Sequence, residues 1–211
     1  MDFLTKEEII IITEEFAKDY MKRYDDSHSI EHAIRVKNMA TRLAIAENLD
    51  DDQIFIIQLA ALTHDVNDSK YNNNSEDTQE NILRGFFSNL INDKMLLENI
   101  ITTACNVSLS IELANENRIK SIELDCVRDA DRIDSLGAIG ISRYFTYGIV
   151  RRQSDISSII ENIENRTNIL MNNISTDMGK KISSEKYKII RMFIEDYRDT
   201  MNYTMLYQEI S

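Results

Sequence analysis

Three histidines, His28, His32 and His64, are the whole imidazole inventory of the 211-residue chain, and the last is followed directly by Asp65. An acidic run, Asp129-Ala130-Asp131-Arg132-Ile133-Asp134, comes further downstream. Two imidazoles and two carboxylates from separate stretches form the minimum donor set for one divalent ion that activates water. Such an ion brings the pKa of its water toward neutrality, supplies hydroxide for attack on an electrophilic centre, and neutralises charge building on the oxygens of that centre. Metal-assisted hydrolysis is the reaction class these residue types suit. No Ser or Cys nucleophile is identifiable beside a base histidine, so a covalent intermediate is not expected.

Helices must position these donors. On a helix beginning near Ser29, His32 shares a face with Val36, Met39 and Leu43 at steps of four, seven and eleven residues, and so points inward. On the next, Ile54, Ile57 and Ala61 lead by helical steps to His64, with Asp65 about 100° around the axis. The chain then turns polar through Asn67, Asp68, Ser69 and Lys70, as the open mouth of a metal site should. Taken singly, His32 or His64 is as readily a core histidine with a satisfied hydrogen bond, and an isolated Asp is usually a cap or a surface charge. Jointly, inward-facing imidazoles on two helices beside a carboxylate bury costly polar groups, and a metal ion satisfies them all.

With no proline and only five glycines, the usual helix breakers are scarce, and the expected fold is all-α. The segment from Thr5 to Arg23 sets Ile9, Ile10, Ile12, Phe16 and Tyr20 against a charged face. Helices are expected near residues 5–23, 29–48, 52–65, 75–90, 93–105, 121–135, 138–147, 154–174 and 183–208, with ends good to roughly two to four residues. Polar runs at 25–29, 67–75, 106–120, 148–154 and 175–184 mark the breaks between them. The length suits one compact domain over 1–211, with the site core at about 20–150 and the helices of about 154–208 packed on it, as a lid or as a dimer surface. The residues do not separate those two readings, so a homodimer stays open. No apolar run approaches membrane-spanning length, and a net charge of −12 repels polymeric nucleic acid. Cys105 and Cys126 form no CxxC pair, which together with the lack of a visible targeting segment fits a reducing cytoplasm.

Three ordered motifs carry a resemblance. His28-Ser-Ile-Glu-His32-Ala-Ile-Arg35-Val36, then Leu59-Ala-Ala-Leu-Thr-His64-Asp65, then Asp129-Ala-Asp131-Arg132-Ile-Asp-Ser-Leu-Gly137-Ala-Ile-Gly140-Ile-Ser-Arg143 together resemble the HD-domain metal-dependent phosphohydrolase superfamily, in its small bacterial single-domain form. The resemblance covers roughly residues 20 to 150, and 171–198 is similar to the terminal helices of the small members. It implies an HD-type helical bundle in which His32 is the first metal ligand, His64 and Asp65 are the second and third, and Asp131 is the fourth, with Asp129 as the fallback. It implies a catalytic role for Asp65 through the metal and for Asp68 as orienter or general base of the attacking water, although Asp68 equally suits a plain turn with Asn67 and Ser69. His28 resembles a histidine placed for substrate phosphate or for structure rather than for ligation.

Family pattern and local position together point to Arg35, Lys70, Arg132 and Arg143 for a polyanionic substrate, with Arg151 and Arg152 less securely placed. Each alone is as readily a surface cation. Tyr71 or Tyr147 would stack on a base or simply pack, and Gly137, Gly140 and Gly148 suggest a close helix approach or a turn beside the site rather than a phosphate loop. The expected cofactor is one divalent ion among Mn, Mg, Fe, Co, Ni and Zn, with Mn favoured for assay. The implied partner is a small phosphorylated molecule, a nucleotide first of all. The resemblance suggests cleavage of a nucleoside triphosphate to monophosphate and pyrophosphate. The alternatives are a nucleoside monophosphate phosphomonoesterase and a non-catalytic metal- and nucleotide-binding sensor module.

Overall fold

The computed structural model describes residues 4–22, 29–67, 77–114 and 119–202 in full and 203–210 as helix backbone; every regular element among them is helical. The chain divides into two compact units, Met1–Asp131 and Arg132–Ser211.

The first unit contains α1 (Lys6–Met21), α2 (Ile30–Ala46), α3 (Asp51–Thr63), α4 (Gln79–Phe87), α5 (Lys94–Cys105), α6 (Leu109–Ala114) and most of α7 (Ile122–Asp134). Helix α3 is its centre and packs on α1, α2 and α5. Its sequence explains why: Phe55, Ile56, Ile57, Leu59, Ala60, Ala61 and Leu62 are apolar on every side of the axis, and all are buried. A helix without a polar face has to be surrounded. Helices α1 and α3 open on reciprocal side-chain caps, Thr5 with Glu8 and Asp50 with Gln53, and Thr78 and Asp93 cap α4 and α5. Each such cap contributes about 1 kcal/mol and fixes where the helix starts.

The expected break at 106–120 contains α6 instead. The polar run is organised by a charge, because the buried Arg128 of α7 donates from Nε to the Asn106 carbonyl at 3.0 Å and lies 3.6 Å from Glu112 of α6. Hydrophobic periodicity does not register an element held in that way.

In the second unit α8 (Gly137–Arg152), α9 (Ile156–Met171) and α10 (Asp177–Ile210) pack on one another in all three pairings. Two of its boundaries differ from expectation. Helix α8 runs through Gly148 instead of breaking there, because the missing side chain admits Ile159 of α9; a Cβ on Gly148 would sit 2.7 Å from Ile159 Cγ1. The helix stops at Gln153, whose φ of 50° is left-handed. Helix α10 starts six residues earlier than expected, where Thr176 Oγ1 accepts from the Gly179 amide at 3.1 Å and caps it.

Candidate metal centre

His32 lies in the first turn of α2, its amide donating to the Ser29 carbonyl at 3.0 Å, with Ala33, Val36, Ala40 and Leu43 buried along the same helix. His64 follows the last turn of α3 as its C-cap residue. Its Nδ1 is 2.8 Å from the Ala61 carbonyl. A carbonyl only accepts, so Nδ1 carries a proton and Nε2 is the nitrogen left to hold a metal ion. That Nε2 is buried and has no hydrogen-bond partner among the described residues.

Four donor side chains converge there. His32 Nε2 is 3.4 Å from Asp65 Oδ2 and 3.4 Å from Asp131 Oδ1; His64 Nε2 is 3.5 Å from Asp65 Oδ1 and 3.9 Å from Asp131 Oδ1. Ligands bound at about 2.0–2.2 Å to one ion stand this far apart, so the donor set fits a divalent metal. Burial is graded across the cluster: the imidazoles are enclosed, whereas the Asp131 side chain is 29% exposed and so turns toward solvent. Burial would push the Asp131 carboxyl up. The hydrogen bond with His32 and the charges of His64 and His32 outweigh it and hold the carboxyl at about 2. Asp131 is therefore a carboxylate, as a ligand must be.

The turn bearing the His-Asp pair is held from outside α3. Gln79, the first residue of α4, donates from Nε2 to the carbonyls of Thr63 at 3.1 Å and His64 at 2.7 Å. Asn67 closes the turn with a left-handed φ of 60°, accepting from the Tyr20 hydroxyl at 3.0 Å and donating to the Asp77 carbonyl at 2.7 Å. The sequence reading missed Gln79 and the pairing of Asn67 with Tyr20. The signal within reach was an Asn directly after a helix-ending His-Asp-Val, a residue type tolerant of positive φ.

The other residues singled out from sequence have the following surroundings. Asp129 is fully buried, so the alternative of a solvent-facing charge does not hold for it. Arg35 is half-buried and lies close enough to Glu31 to help lower its carboxyl, after the hydrogen bonds from Ser29 and Glu31's own amide. In the second unit Arg132 is buried and donates from Nη1 to the Asn173 carbonyl, while Arg143 pairs with Asp134 at 3.0 Å. Arg152 lies over the ring of Tyr147, 5.3 Å from its centroid, and Arg151 is exposed. Of the three glycines, Gly137 opens α8 with a positive φ of 67° and Gly140 faces the Ser135 carbonyl. His28, Asp68, Lys70 and Tyr71 lie outside the described residues.

An all-helical chain that sets a His-Asp turn beside a second helix's His and a distant Asp has the fold and the donor cluster of an HD-type hydrolase. The chain belongs to the HD domain family, which matches residues 29–136. A protein of Acanthamoeba polyphaga mimivirus is 29% identical over 149 residues, 64% of this chain and 60% of that protein, so this chain spans less than two thirds of that relative's length. YpgQ of Bacillus subtilis is 27% identical over 175 residues, covering 79% of this chain and 81% of YpgQ. Its crystal structure in complex with ADP matches with a TM-score of 0.74 at 22% identity, over 90% of this chain and 97% of that one. An HD-superfamily hydrolase from Bacillus thuringiensis matches with a TM-score of 0.74 at 27% identity, over 94% of this chain and 99% of the other.

Proposed function

We propose that this protein is a metal-dependent phosphohydrolase that cleaves a nucleoside triphosphate to the monophosphate and pyrophosphate. The observation that carries the reading is the His64 ring: its Nδ1 proton is committed to the Ala61 carbonyl, which leaves Nε2 as a lone-pair donor among His32, Asp65 and Asp131. We assign these four residues as the ligands of one divalent ion. When bound, that ion supplies a water nucleophilic at neutral pH and offsets charge on the phosphoryl oxygens.

The residues of the chain do the rest. The buried imidazoles close one side of the centre and the carboxylates leave the other open, so substrate and water are placed to enter past Asp131. Asp68 is assigned to hold or accept the proton of the attacking water. Arg35, Lys70 and His28 are assigned to the phosphate chain, where a guanidinium fork binds two oxygens at once. Arg132 and Arg143 are assigned to anchoring the end of α7, the helix that carries Asp131, through Asn173 and Asp134. A nucleotide substrate is supported by the related YpgQ, whose structure was solved with ADP.

Chromatography of products after incubation with Mn²⁺ and a panel of nucleoside tri- and monophosphates tests the reading. Pyrophosphate released by wild type and not by His64→Ala/Asp65→Ala is the expected result. Orthophosphate from monophosphates would replace the proposed reaction with phosphomonoester hydrolysis, and no product from metal-loaded protein would reject both.

A further inference from the structure

Helix α10 has a charge order that its own unit does not explain. Between Asp177 and Arg191 it carries five cations and two anions; between Met192 and Ile210 it carries one cation and four anions. The helix macrodipole favours the reverse, anions near the N-terminus and cations near the C-terminus, so the pattern works against the isolated helix. Along the solvent side the order resolves into one stripe. Lys181, Lys188, Met192, Glu195 and Asp199 recur at steps of seven, four, three and four, which keeps them on one face, and all five are exposed. The apolar member, Met192, is 68% exposed at the middle of the stripe. The two cations lie eleven and four residues before it and the two anions three and seven residues after it, so the sign inverts across the middle of the stripe. In-helix pairing leaves the stripe available, since Lys188 with Glu185 and Arg191 with Glu195 are surface ion pairs of small worth.

The helix also outruns its partners. At 34 residues it is about twice as long as α8 or α9, with 16 each, on which it packs. Ile190 and Ile194 are buried on the inner face, whereas Met201, two turns beyond Ile194 on that same face, is 39% exposed.

We propose that α10 is a self-association surface: it pairs antiparallel with α10 of a second copy of this chain about a two-fold axis near residue 191. In that register Lys181 lies within two residues, about 3 Å along the axis, of Asp199 of the partner, Lys188 lies within one residue of Glu195, and the two Met192 side chains flank the centre, so one patch is its own complement. The occupant is a second copy because the stripe is charge-complementary to itself only when reversed.

Light scattering on the eluting full-length protein, together with cysteine trapping, tests this. Wild type is expected at twice the 24.5 kDa chain mass at high concentration. Lys181→Cys mixed with Asp199→Cys is expected to give a disulfide-linked pair that neither variant gives alone. Lys181→Glu/Lys188→Glu and Glu195→Lys/Asp199→Lys should each be monomeric and should associate when mixed, with unchanged helical circular dichroism confirming the fold. A monomer at every concentration would overturn the proposal, as would Lys181→Cys linking to itself, which reports a parallel pair.

Discussion

The His64 ring shows how one residue can be prepared for a metal by its own backbone. The Ala61 carbonyl receives the Nδ1 proton, and Gln79 fixes the consecutive carbonyls of Thr63 and His64 at the start of the turn. His64→Ala is expected to lower divalent-metal affinity by more than about 100-fold, beyond the cost of losing an outer partner. Gln79→Leu is expected to lower it by about tenfold, near the small end of the effect of removing such a partner, with circular dichroism unchanged. Calorimetric titration of both variants distinguishes these sizes. Asp131 yields a pH prediction for the metal-free protein. Its folded pKa of about 2 lies below the ordinary carboxylate value of about 3.9, so its ionised form stabilises the fold above about pH 4 and that contribution is lost as the pH falls toward 2. Urea midpoints across that range should fall less steeply for Asp131→Asn than for wild type. The inward direction of His32 and His64 was legible from helical spacing, because the faces they share are apolar. Gln79 was not, since a side chain reaching carbonyls fifteen residues back leaves no period in the sequence.

Helices with long apolar stretches or apolar residues repeating against charged ones were readable to within a few residues: α1, α2, α3 and α5 fall where expected, and α1, α3 and α5 carry side-chain caps at their starts. Elements organised by something other than that period were not. Helix α6 depends on the buried Arg128, and α8 continues through Gly148 because glycine there serves packing, although in sequence it resembles a break. The two close glycines should differ in cost. A Cβ at Gly148 meets the Ile159 side chain at 2.7 Å, and at Gly140 it meets the Ser135 carbonyl oxygen at 2.2 Å. Gly148→Ala is expected to destabilise by about 1–3 kcal/mol, in the range of overpacking, and Gly140→Ala by more, because backbone has to move. Urea denaturation of the full chain should rank them in that order. Equal or negligible losses would show that both neighbours yield freely.

At the scale of the whole molecule, a net charge of −12 sets a field that repels polyanionic polymers, while the donor cluster found among the described residues is local. No helix among the described residues is long and apolar enough to cross a membrane. Burial pushes Cys105 up to about 11 and Cys126 up to about 12, so both are protonated thiols at neutral pH. Ellman's reagent at pH 8 is therefore expected to react slowly with native protein and rapidly with both thiols in denaturant. Fast native labelling would place one of them in a more open setting. The fold class and the convergence of His32, His64, Asp65 and Asp131 were legible because both depend on apolar spacing and ordered motifs. The division into two units was not, since its boundary falls inside α7, where no composition shift marks it. The central claim is that His32, His64, Asp65 and Asp131 hold a single divalent ion, and calorimetric titration of metal-stripped protein with Mn²⁺ tests it most directly. One ion per chain in wild type and none in Asp131→Ala is the predicted result; wild-type stoichiometry and affinity retained in Asp131→Ala would contradict it.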